Sequence, residues 1–194
     1  MQDSVITLPR PETGGTVSVE EAVRRRRSRR SFQPEKLTLR ELSQLLWAAS
    51  TAPSAGATYP LDIFAVVGAR CVEKLEPAVY QYLGEYSLGV HAEGDRREPL
   101  ARAALGQDFV AKAPVSIAVA ATYERTTARY GRRGQRYVHI EVGHVGQNVY
   151  LQAEALGLGT VAVGAFEDAA VSRVLELPSA MLPLYIMPVG HVGV

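Results

Sequence analysis

The spacing of apolar residues predicts several amphipathic helices, two of which start with a capping box. In Ser18-Val-Glu-Glu21 and Thr38-Leu-Arg-Glu41 a hydroxyl side chain precedes a glutamate by three positions, so that each can satisfy a backbone amide beside the other. The first box predicts a helix that runs to about Arg27, and the second predicts one that ends before Pro53. Apolar residues at helical spacing predict further helices over 72–83, 137–156 and 168–175.

Runs of β-branched and small apolar residues predict the strands. Leu61–Val67 and Val115–Ala121 are almost entirely apolar, as expected of strands that are buried on both faces. Shorter strands are predicted over 161–163 and 184–189. Two polar stretches without a period, 84–98 and 125–136, are predicted to be long loops with a functional role. The order of these elements predicts helices packed on both sides of one small sheet, with no internal repeat.

Composition narrows the class of protein. The 194 residues suit one domain, and 21 basic against 20 acidic side chains give a formal net charge of +1, which argues against binding nucleic acid through overall charge. Apolar stretches are too short for a membrane span or a secretory signal, so residues 1–17 are predicted to be a flexible lead-in to a cytoplasmic protein. A single cysteine and the lack of zinc-binding histidine spacing predict no metal site, and His144 is expected to pack within a helix.

The most prominent local feature is the basic run Arg24-Arg-Arg-Arg-Ser-Arg-Arg30. If the helix continued through it, Arg26 and Arg30 would lie on one side, where their guanidinium groups and the Ser28 hydroxyl could hold one phosphate. The run could instead be a solvated helix end, or a basic patch for nucleic acid or membrane. No aromatic residues are interleaved with these arginines, which counts against nucleic acid. The spacing allows a phosphate clamp without requiring one.

A series of motifs, in order over about residues 18–193, resembles the FMN-dependent nitroreductase superfamily. Two stretches, over 53–60 and 141–148, resemble the SagB/ThcOx-type dehydrogenase branch more than the well-known bacterial nitroreductases. Any one motif is weak evidence, whereas the ordered set is specific. The motifs are Arg26-Arg-Ser-Arg-Arg-Ser-Phe32, Pro53-Ser-Ala-Gly-Ala-Thr-Tyr-Pro60, Glu141-Val-Gly-His-Val-Gly-Gln-Asn-Val-Tyr150, Ala155-Leu-Gly-Leu-Gly159, Val163-Gly-Ala-Phe166 and Pro188-Val-Gly190.

The resemblance implies an α+β homodimer whose residues 18–194 form a three-layer α/β/α sandwich around a small, mostly antiparallel sheet. It also implies bound FMN, with NADH or NADPH as co-substrate. Many relatives carry asparagine where Ala57 stands, so that side-chain contact is missing here. The implied flavin contacts are Arg26, Arg27, Ser28 and Arg30 at the phosphate; Pro53, Ser54, Ala55 and Gly56, from the other subunit, at the isoalloxazine ring; Gly164 and Ala165 at its N5 and O4 edge; and Gln107, placed just before a strand, at its pyrimidine edge.

The pair Arg136-Tyr137, ahead of the longest helix, bears on the reaction. In azole-forming enzymes the resembling position is a Lys-Tyr pair, which is implicated in removing the proton that accompanies hydride loss. Arginine stays protonated and cannot act as this base, so we expect that the protein is not a dedicated azoline dehydrogenase. A functional Arg136 would instead bind an anionic group, such as a nucleotide phosphate or a substrate carboxylate. The alternative is that Tyr137 only starts the helix and Arg136 caps a loop.

Three functions are therefore open from the sequence. The first is an FMN-dependent oxidoreductase that passes electrons from NAD(P)H to a small organic acceptor, nitroaromatic or quinone-like, by a ping-pong cycle. The second is a flavin-dependent dehydrogenase of a small or peptidic substrate, azoline-oxidase-like, that uses oxygen as acceptor. The third, a nucleic-acid-binding protein that uses Arg24–Arg30, fits the net charge poorly. Small-molecule substrates and a homodimer, without nucleic acid or membrane, are the expected partners.

Overall fold

The computed structural model describes residues 5–193, and its centre is a seven-stranded sheet in which neighbouring strands run antiparallel. The expectation of an α+β fold with a small antiparallel sheet is thus confirmed. From one edge of the sheet to the other, the strands are β1 (Ile6–Thr7), β4 (Ser87–Glu93), β3 (Ala78–Gly84), β2 (Leu61–Val67), β5 (Val115–Ala121), β7 (Leu182–His191) and β6 (Leu158–Thr160).

Helices cover both faces of the sheet, which gives three layers. Helices α2 and α6 pack on one face, while α3, α4 and α7 contribute to the apolar cluster on the other. No helix in the described part of the chain is both long enough and apolar enough to cross a membrane. The helices are α1 (Val19–Arg25), α2 (Leu39–Ser50), α3 (Arg97–Ala103), α4 (Asp108–Lys112), α5 (Glu124–Tyr130), α6 (Arg133–Ala155) and α7 (Asp168–Val174).

The central strands carry apolar side chains on both faces because both faces are covered. Along β2, Ile63 and Ala65 belong to the cluster under α2 and α6, whereas Phe64 and Val66 belong to the opposite cluster. Strand β5 alternates in the same way and is buried over its whole length. Removing these side chains from water is the main favourable contribution to folding, and it fixes the register of the middle of the sheet.

Several predicted elements are confirmed. The bounds of β2 and β5 agree with the predicted strands, and the capping box at Thr38 is formed, with Glu41 bonded back to it. At the start of α1 the Ser18 side chain accepts the Glu21 amide. Helix α2 ends before Pro53 as expected, and the predicted helix over 168–175 corresponds to α7.

The predicted helix over 72–83 is wrong, because this stretch contains turns and then strand β3. Its apolar spacing fits a helix, but Pro77 disfavours helical backbone at the residue before it. The predicted loop over 84–98 is also wrong: it contains β4, paired with β3, and the start of α3. Glu85 and Tyr86 form the hairpin turn with positive φ angles of 46° and 59°, where asparagine and glycine are the usual turn residues.

Two other predictions near the site are wrong. The basic run does not continue as a helix: α1 ends at Arg25, and the following backbone is extended, with Ser28 in a β-bridge to Thr160. The stretch 125–136 is not a loop, since it contains most of α5 and the first turn of α6. The predicted strand over 161–163 lies earlier, at Leu158–Thr160, and Val163 forms only a single bridge.

The segment ahead of Ser18 packs onto the rest of the fold where the structure describes it. Strand β1 pairs with β4, and Leu8 is only 3% exposed. Gln44 on α2 accepts the amide of Glu12 and donates to its carbonyl. We predicted a flexible lead-in over 1–17; its residues from Ile6 to Glu12 are tied to the sheet and to α2, and residues 1–4 lie outside the described range.

Candidate active site

The arginine segment Arg26–Arg30 lies along the outer strand β6. The Arg29 amide donates to the Thr160 carbonyl at 2.9 Å, which holds the segment against the strand. Gly159 permits this approach, because a Cβ there would stand 2.8 Å from the Cβ of Arg29. On the side facing α6, Ser28 Oγ is 3.0 Å from Tyr150 Oη, and the Arg26 guanidinium lies over the Tyr150 ring at 5.0 Å.

No ion pair in the described part of the chain neutralises a guanidinium group of this segment, although the Glu154 carboxylate accepts the backbone amide of Arg27 at 3.3 Å. Among the described residues, the ion pairs of the basic run involve Arg24 and Arg25, both with Glu21. The Arg27 guanidinium donates to the carbonyls of Arg24 and Arg26, so it is held in place without being neutralised. Arginine forks beside a serine hydroxyl suit a phosphate group, and the residues present therefore fit the phosphate end of FMN.

Three further sequence-predicted residues lie together. Gly164 and Ala165 are exposed, and Gln107 Nε2 donates to the Ala165 carbonyl at 3.0 Å and to the Ala104 carbonyl at 2.8 Å. The expected position of Gln107 just before a strand is wrong, because it precedes helix α4. The side-chain NH2 group of Gln107 thus fixes the backbone of the 164–165 turn. The side-chain oxygen, Oε1, makes no hydrogen bond among the described residues.

The predicted Pro53–Gly56 loop leads into strained backbone at Ala57 and Tyr59 and is held from one side. Gly56, Ala57 and Tyr59 have positive φ angles of 58°, 53° and 42°, a conformation that is costly for residues other than glycine. Ser54 Oγ accepts the Tyr59 amide at 2.9 Å, and Arg129 on α5 donates to the Gly56 carbonyl at 2.9 Å. Strained backbone that the surroundings enforce is common at functional sites.

A cleft of about 240 Å³ separates this loop from the first half of α6. Arg136 is exposed, and Tyr137 packs edge-to-face on Tyr130 with ring centroids 5.1 Å apart. The expectation that His144 packs within a helix interface is wrong for this chain, because its side chain is exposed and lines the cleft. The cleft is lined by Pro53, Ser54, Ala55, Tyr137, Ile140, Glu141 and His144.

Two features here were missed by the sequence analysis. Glu141 is only 5% exposed, and burial raises the pKa of its carboxyl group, against the opposing effects of the Ser54 hydroxyl, the Ala55 amide and His144. Tyr123 Oη lies 2.6 Å from His139 Nε2, and burial, together with the charge of Asp168, raises the pKa of Tyr123. The helical period could have placed Glu141 on the buried side of α6, but the Tyr123–His139 contact joins two elements and leaves no local signal.

The predicted site residues form two groups within one chain. The arginine segment contacts Tyr150 near the end of α6, whereas the Pro53–Gly56 loop lies beside Tyr137 near its start. Thirteen helical positions separate these tyrosines, which corresponds to about 20 Å along the helix axis. A single chain therefore does not bring the loop and the arginine segment together around one ligand phosphate and ring.

Comparison with known proteins identifies the family. The family model described as the nitroreductase family matches residues 23–191. A nitroreductase-named protein of Methanocaldococcus jannaschii is 48% identical over 185 residues, which cover 90% of this chain and 91% of the relative. The microcin B17-processing protein McbC of Escherichia coli is 25% identical over 173 residues, which cover 81% of this chain and 64% of McbC.

Solved structures share the fold. A crystal structure from Anabaena variabilis, described as a nitroreductase, has a TM-score of 0.87 and 28% identity; the match covers 98% of this chain and 42% of that longer chain. The NADPH:FMN oxidoreductase of Vibrio harveyi, in complex with NAD⁺, has a TM-score of 0.68 at 22% identity, covering 89% of this chain and 68% of its own. With the family model matched over most of its length, this chain belongs to the nitroreductase family and is an oxidoreductase.

Proposed function

We propose that the protein is an FMN-dependent oxidoreductase that passes electrons from NADH or NADPH to a small nitroaromatic or quinone-like acceptor. The observation that carries the proposal is the arginine segment 26–30, whose guanidinium groups form no ion pair among the described residues and lie beside the Ser28 hydroxyl. Family membership and the FMN oxidoreductase of Vibrio harveyi support the same cofactor. The two half-reactions would follow one another at the same ring face, in a ping-pong cycle.

The residues of this chain would bind and orient the cofactor. Arg26, Ser28 and Arg30 would hold its phosphate by charge-assisted hydrogen bonds. The exposed amides of Gly164 and Ala165 would donate to the edge of the ring, in a turn that Gln107 holds in place. When bound, FMN supplies the hydride chemistry, which no side chain of the protein could supply.

We further propose that the working unit is a homodimer. Because the Pro53–Gly56 loop and the arginine segment lie near opposite ends of α6, the loop of one subunit would complete the site whose phosphate clamp belongs to the other. Two sites per dimer then follow from two-fold symmetry.

A second candidate, oxidation of a small or peptidic substrate with oxygen as acceptor, rests on the similarity to McbC. Tyr137 lines the cleft, as that reaction would need, but the neighbouring Arg136 is exposed and cannot remove a proton. We therefore favour the reductase. Two assays distinguish the reductase from the dehydrogenase: one offers NAD(P)H with a quinone, and the other offers a thiazoline peptide with oxygen. Rapid azole formation in the second assay would overturn our choice.

The decisive experiment combines cofactor identification with matched variants. Purified protein is expected to show a flavin absorption spectrum, to release FMN by mass spectrometry, and to bleach when titrated anaerobically with NADH or NADPH. Arg26→Ala with Arg30→Ala should lose most of the flavin, whereas Arg24→Ala with Arg25→Ala, which removes the same charge from arginines paired with Glu21, should keep it. Release of FAD, or no flavin after reconstitution, would contradict the proposal.

A further inference from the structure

The side chains of Tyr123 and His139 form a hydrogen-bonded pair that the proposed function leaves unassigned. Tyr123 follows β5 and His139 lies in the first half of α6, and Tyr123 Oη is 2.6 Å from His139 Nε2. The two rings meet edge-to-face, with their centroids 5.6 Å apart. A contact this short between a phenol and an imidazole nitrogen suits the transfer of a proton from one group to the other.

The pair holds a proton and has access to water. Burial and the charge of Asp168 raise the pKa of Tyr123, so its phenol stays protonated near neutral pH. The His139 side chain is exposed, whereas Tyr123 is half-buried. A proton that leaves the phenol can therefore be replaced from solvent through the imidazole ring, the side chain that enzymes use most often for proton transfer.

The pair lies on the side of α6 that faces the proposed cofactor site. His139, Gly146 and Tyr150 follow one another at intervals of seven and four positions, so they share one face of the helix. Tyr150 contacts Ser28 of the arginine segment, and a Cβ at Gly146 would stand 3.1 Å from the Tyr185 ring. This face therefore runs from the phosphate clamp, past Tyr185, to His139.

The Gly164–Ala165 turn lies between the two ends of this face. A Cβ at Gly164 would be 3.6 Å from the same Tyr185 ring that Gly146 approaches, which places the turn at the level of Gly146. Seven helical positions separate Gly146 from His139, which is about 10 Å along the helix axis. An interval of this length accommodates one aromatic acceptor between the turn and the pair.

The sheet leads to the same arrangement. Ile186 on β7 pairs antiparallel with Val163 and with strand β5. The chain therefore runs from Val163 into the Gly164–Ala165 turn in the same direction as β5 runs toward Tyr123. Asp168, at the start of α7 just past the turn, is close enough for its charge to act on Tyr123. The turn and the pair thus lie toward the same end of the sheet.

We propose that Tyr123 donates the proton that the electron acceptor takes up on reduction, and that His139 returns a proton to Tyr123 from solvent. This inference rests on the proposed function and assigns a proton donor to it. A quinone becomes a hydroquinone by gaining one hydride, which the cofactor supplies with its electron pair, and one proton. The Tyr123 O–H bond breaks as an O–H bond forms on the quinone oxygen. The Nε2 proton of protonated His139 then restores the phenol, and His139 takes up a proton from water.

Two electron acceptors separate proton donation from electron transfer. Menadione, a quinone, needs a proton on reduction, whereas ferricyanide takes up an electron alone. In stopped-flow mixing of the reduced protein with each acceptor, Tyr123→Phe should lower the rate with menadione about a hundredfold, since a general acid contributes about that factor. The rate with ferricyanide should not change. Equal losses with both acceptors, or no loss with menadione, would overturn the proposal.

Further variants keep the test valid if Tyr123→Phe does not fold. His139→Gln, at an exposed position, should also slow the reaction with menadione and leave the reaction with ferricyanide unchanged. Tyr86→Phe in the β3–β4 turn is a matched control for the phenol. His91→Gln on β4, where the ring nitrogen contacts a backbone carbonyl, is the control for the imidazole. Both controls should keep both rates, and a menadione-specific loss in either would contradict the assignment.

Binding gives a readout that does not depend on turnover. Hydroquinone, the product of quinone reduction, should bind the oxidised flavin-loaded protein about fivefold more weakly in Tyr123→Phe, because one hydrogen bond is lost. Calorimetry measures the change, and an unchanged affinity would contradict contact between Tyr123 and the acceptor. Flavin loading and ferricyanide reduction by the wild type report on the proposed function separately. If either fails, the proposed function falls and the proton role falls with it; if both are present, the menadione comparison alone decides the proton role.

Discussion

Tyr150 Oη accepts the amide hydrogen of Ala162 at 2.8 Å and lies 3.0 Å from Ser28 Oγ. Because the Tyr150 oxygen already accepts a hydrogen bond from Ala162, the proton of the Tyr150 hydroxyl is available for donation to Ser28 Oγ. One phenol on α6 thus connects the arginine segment with the chain that leads into the Gly164–Ala165 turn. The phosphate and ring ends of the proposed flavin site are positioned by the same side chain.

Tyr150→Phe should therefore weaken flavin binding several-fold while leaving the fold intact. The variant keeps the ring under Arg26 but removes two hydrogen bonds, each worth about 1 kcal/mol. Equilibrium titration of the apoprotein with FMN measures the change. Tyr86→Phe, in the β3–β4 turn, removes a phenol away from the site and should have no effect; an equal loss in both variants would contradict this role.

The dimeric site can be tested by mixing two inactive variants. In Gly56→Ala the new Cβ would stand 2.2 Å from Tyr130 Oη at a φ of +58°, so the loop should fail while the arginine segment remains. Mixed in equal amounts with Arg26→Ala/Arg30→Ala subunits and refolded together, half of the dimers are mixed, and each mixed dimer has one intact site. Activity should return to about a quarter of wild type. If the Pro53–Gly56 loop and the arginine segment of the same chain form each site, no activity returns.

The raised pKa of Glu141 predicts how stability changes with pH. A carboxyl group whose pKa is higher in the folded than in the unfolded state favours folding below its unfolded pKa, and this contribution is lost as the pH rises through the folded value. Glu141→Gln removes the effect, so its melting temperature should rise relative to wild type as the pH increases from about 4 to 8. Thermal denaturation across that range measures it, and a gap that does not change with pH would contradict the prediction.

Asp95 should show the opposite dependence. Burial alone would raise the pKa of Asp95, but hydrogen bonds from the Arg97 guanidinium and from the amides of Ala69 and Arg97 outweigh it, and the pKa is lowered. Its contribution to stability is present above the unfolded pKa and is lost as the pH falls through the folded value. Asp95→Asn should destabilise the protein by about 1–2 kcal/mol at pH 7.

The Asp95→Asn cost should be smaller at pH 3, below the ordinary pKa of an aspartate, because the contribution of Asp95 is lost as the pH falls toward its lowered folded pKa. Chemical denaturation at both pH values measures the difference. Asp108→Asn provides a control, because the Asp108–Lys112 pair is exposed on α4 and exposed pairs contribute little. A loss in Asp95→Asn that is the same at pH 7 and pH 3 would show that the effect is not electrostatic.

The sequence predicted the parts of the fold that local patterns determine. Strands β2 and β5 were placed correctly because a strand buried on both faces is apolar at successive positions. Strand β3 was predicted as a helix because its apolar residues also fit helical spacing, whereas in the fold it pairs with both β2 and β4. Strand β4 follows directly along the chain, but the turn residues Glu85 and Tyr86 carry no hairpin signal that would indicate the pairing.

At the site, motif resemblance predicted which segments matter but not how they are arranged. The residues Gln107 and Ala165 were each named, but their hydrogen bond across 58 positions could come only from the folded chain. The arginine segment was expected to be helical, and it is extended because Ser28 and Arg29 bond to Thr160 on β6. Long-range pairing overrides helical spacing in the arginine segment.

Helix α6 also limits which insertions this protein can accept between the two ends of the helix. It holds Tyr150 against the arginine segment at one end and Tyr137 against the Pro53–Gly56 loop at the other, without interruption over 23 residues. Inserting one residue between them would turn one end by about 100° relative to the other and separate them by a further 1.5 Å or so. The two ends are therefore linked in phase as well as in distance, and only insertions close to whole helical turns would keep both tyrosines facing their present neighbours.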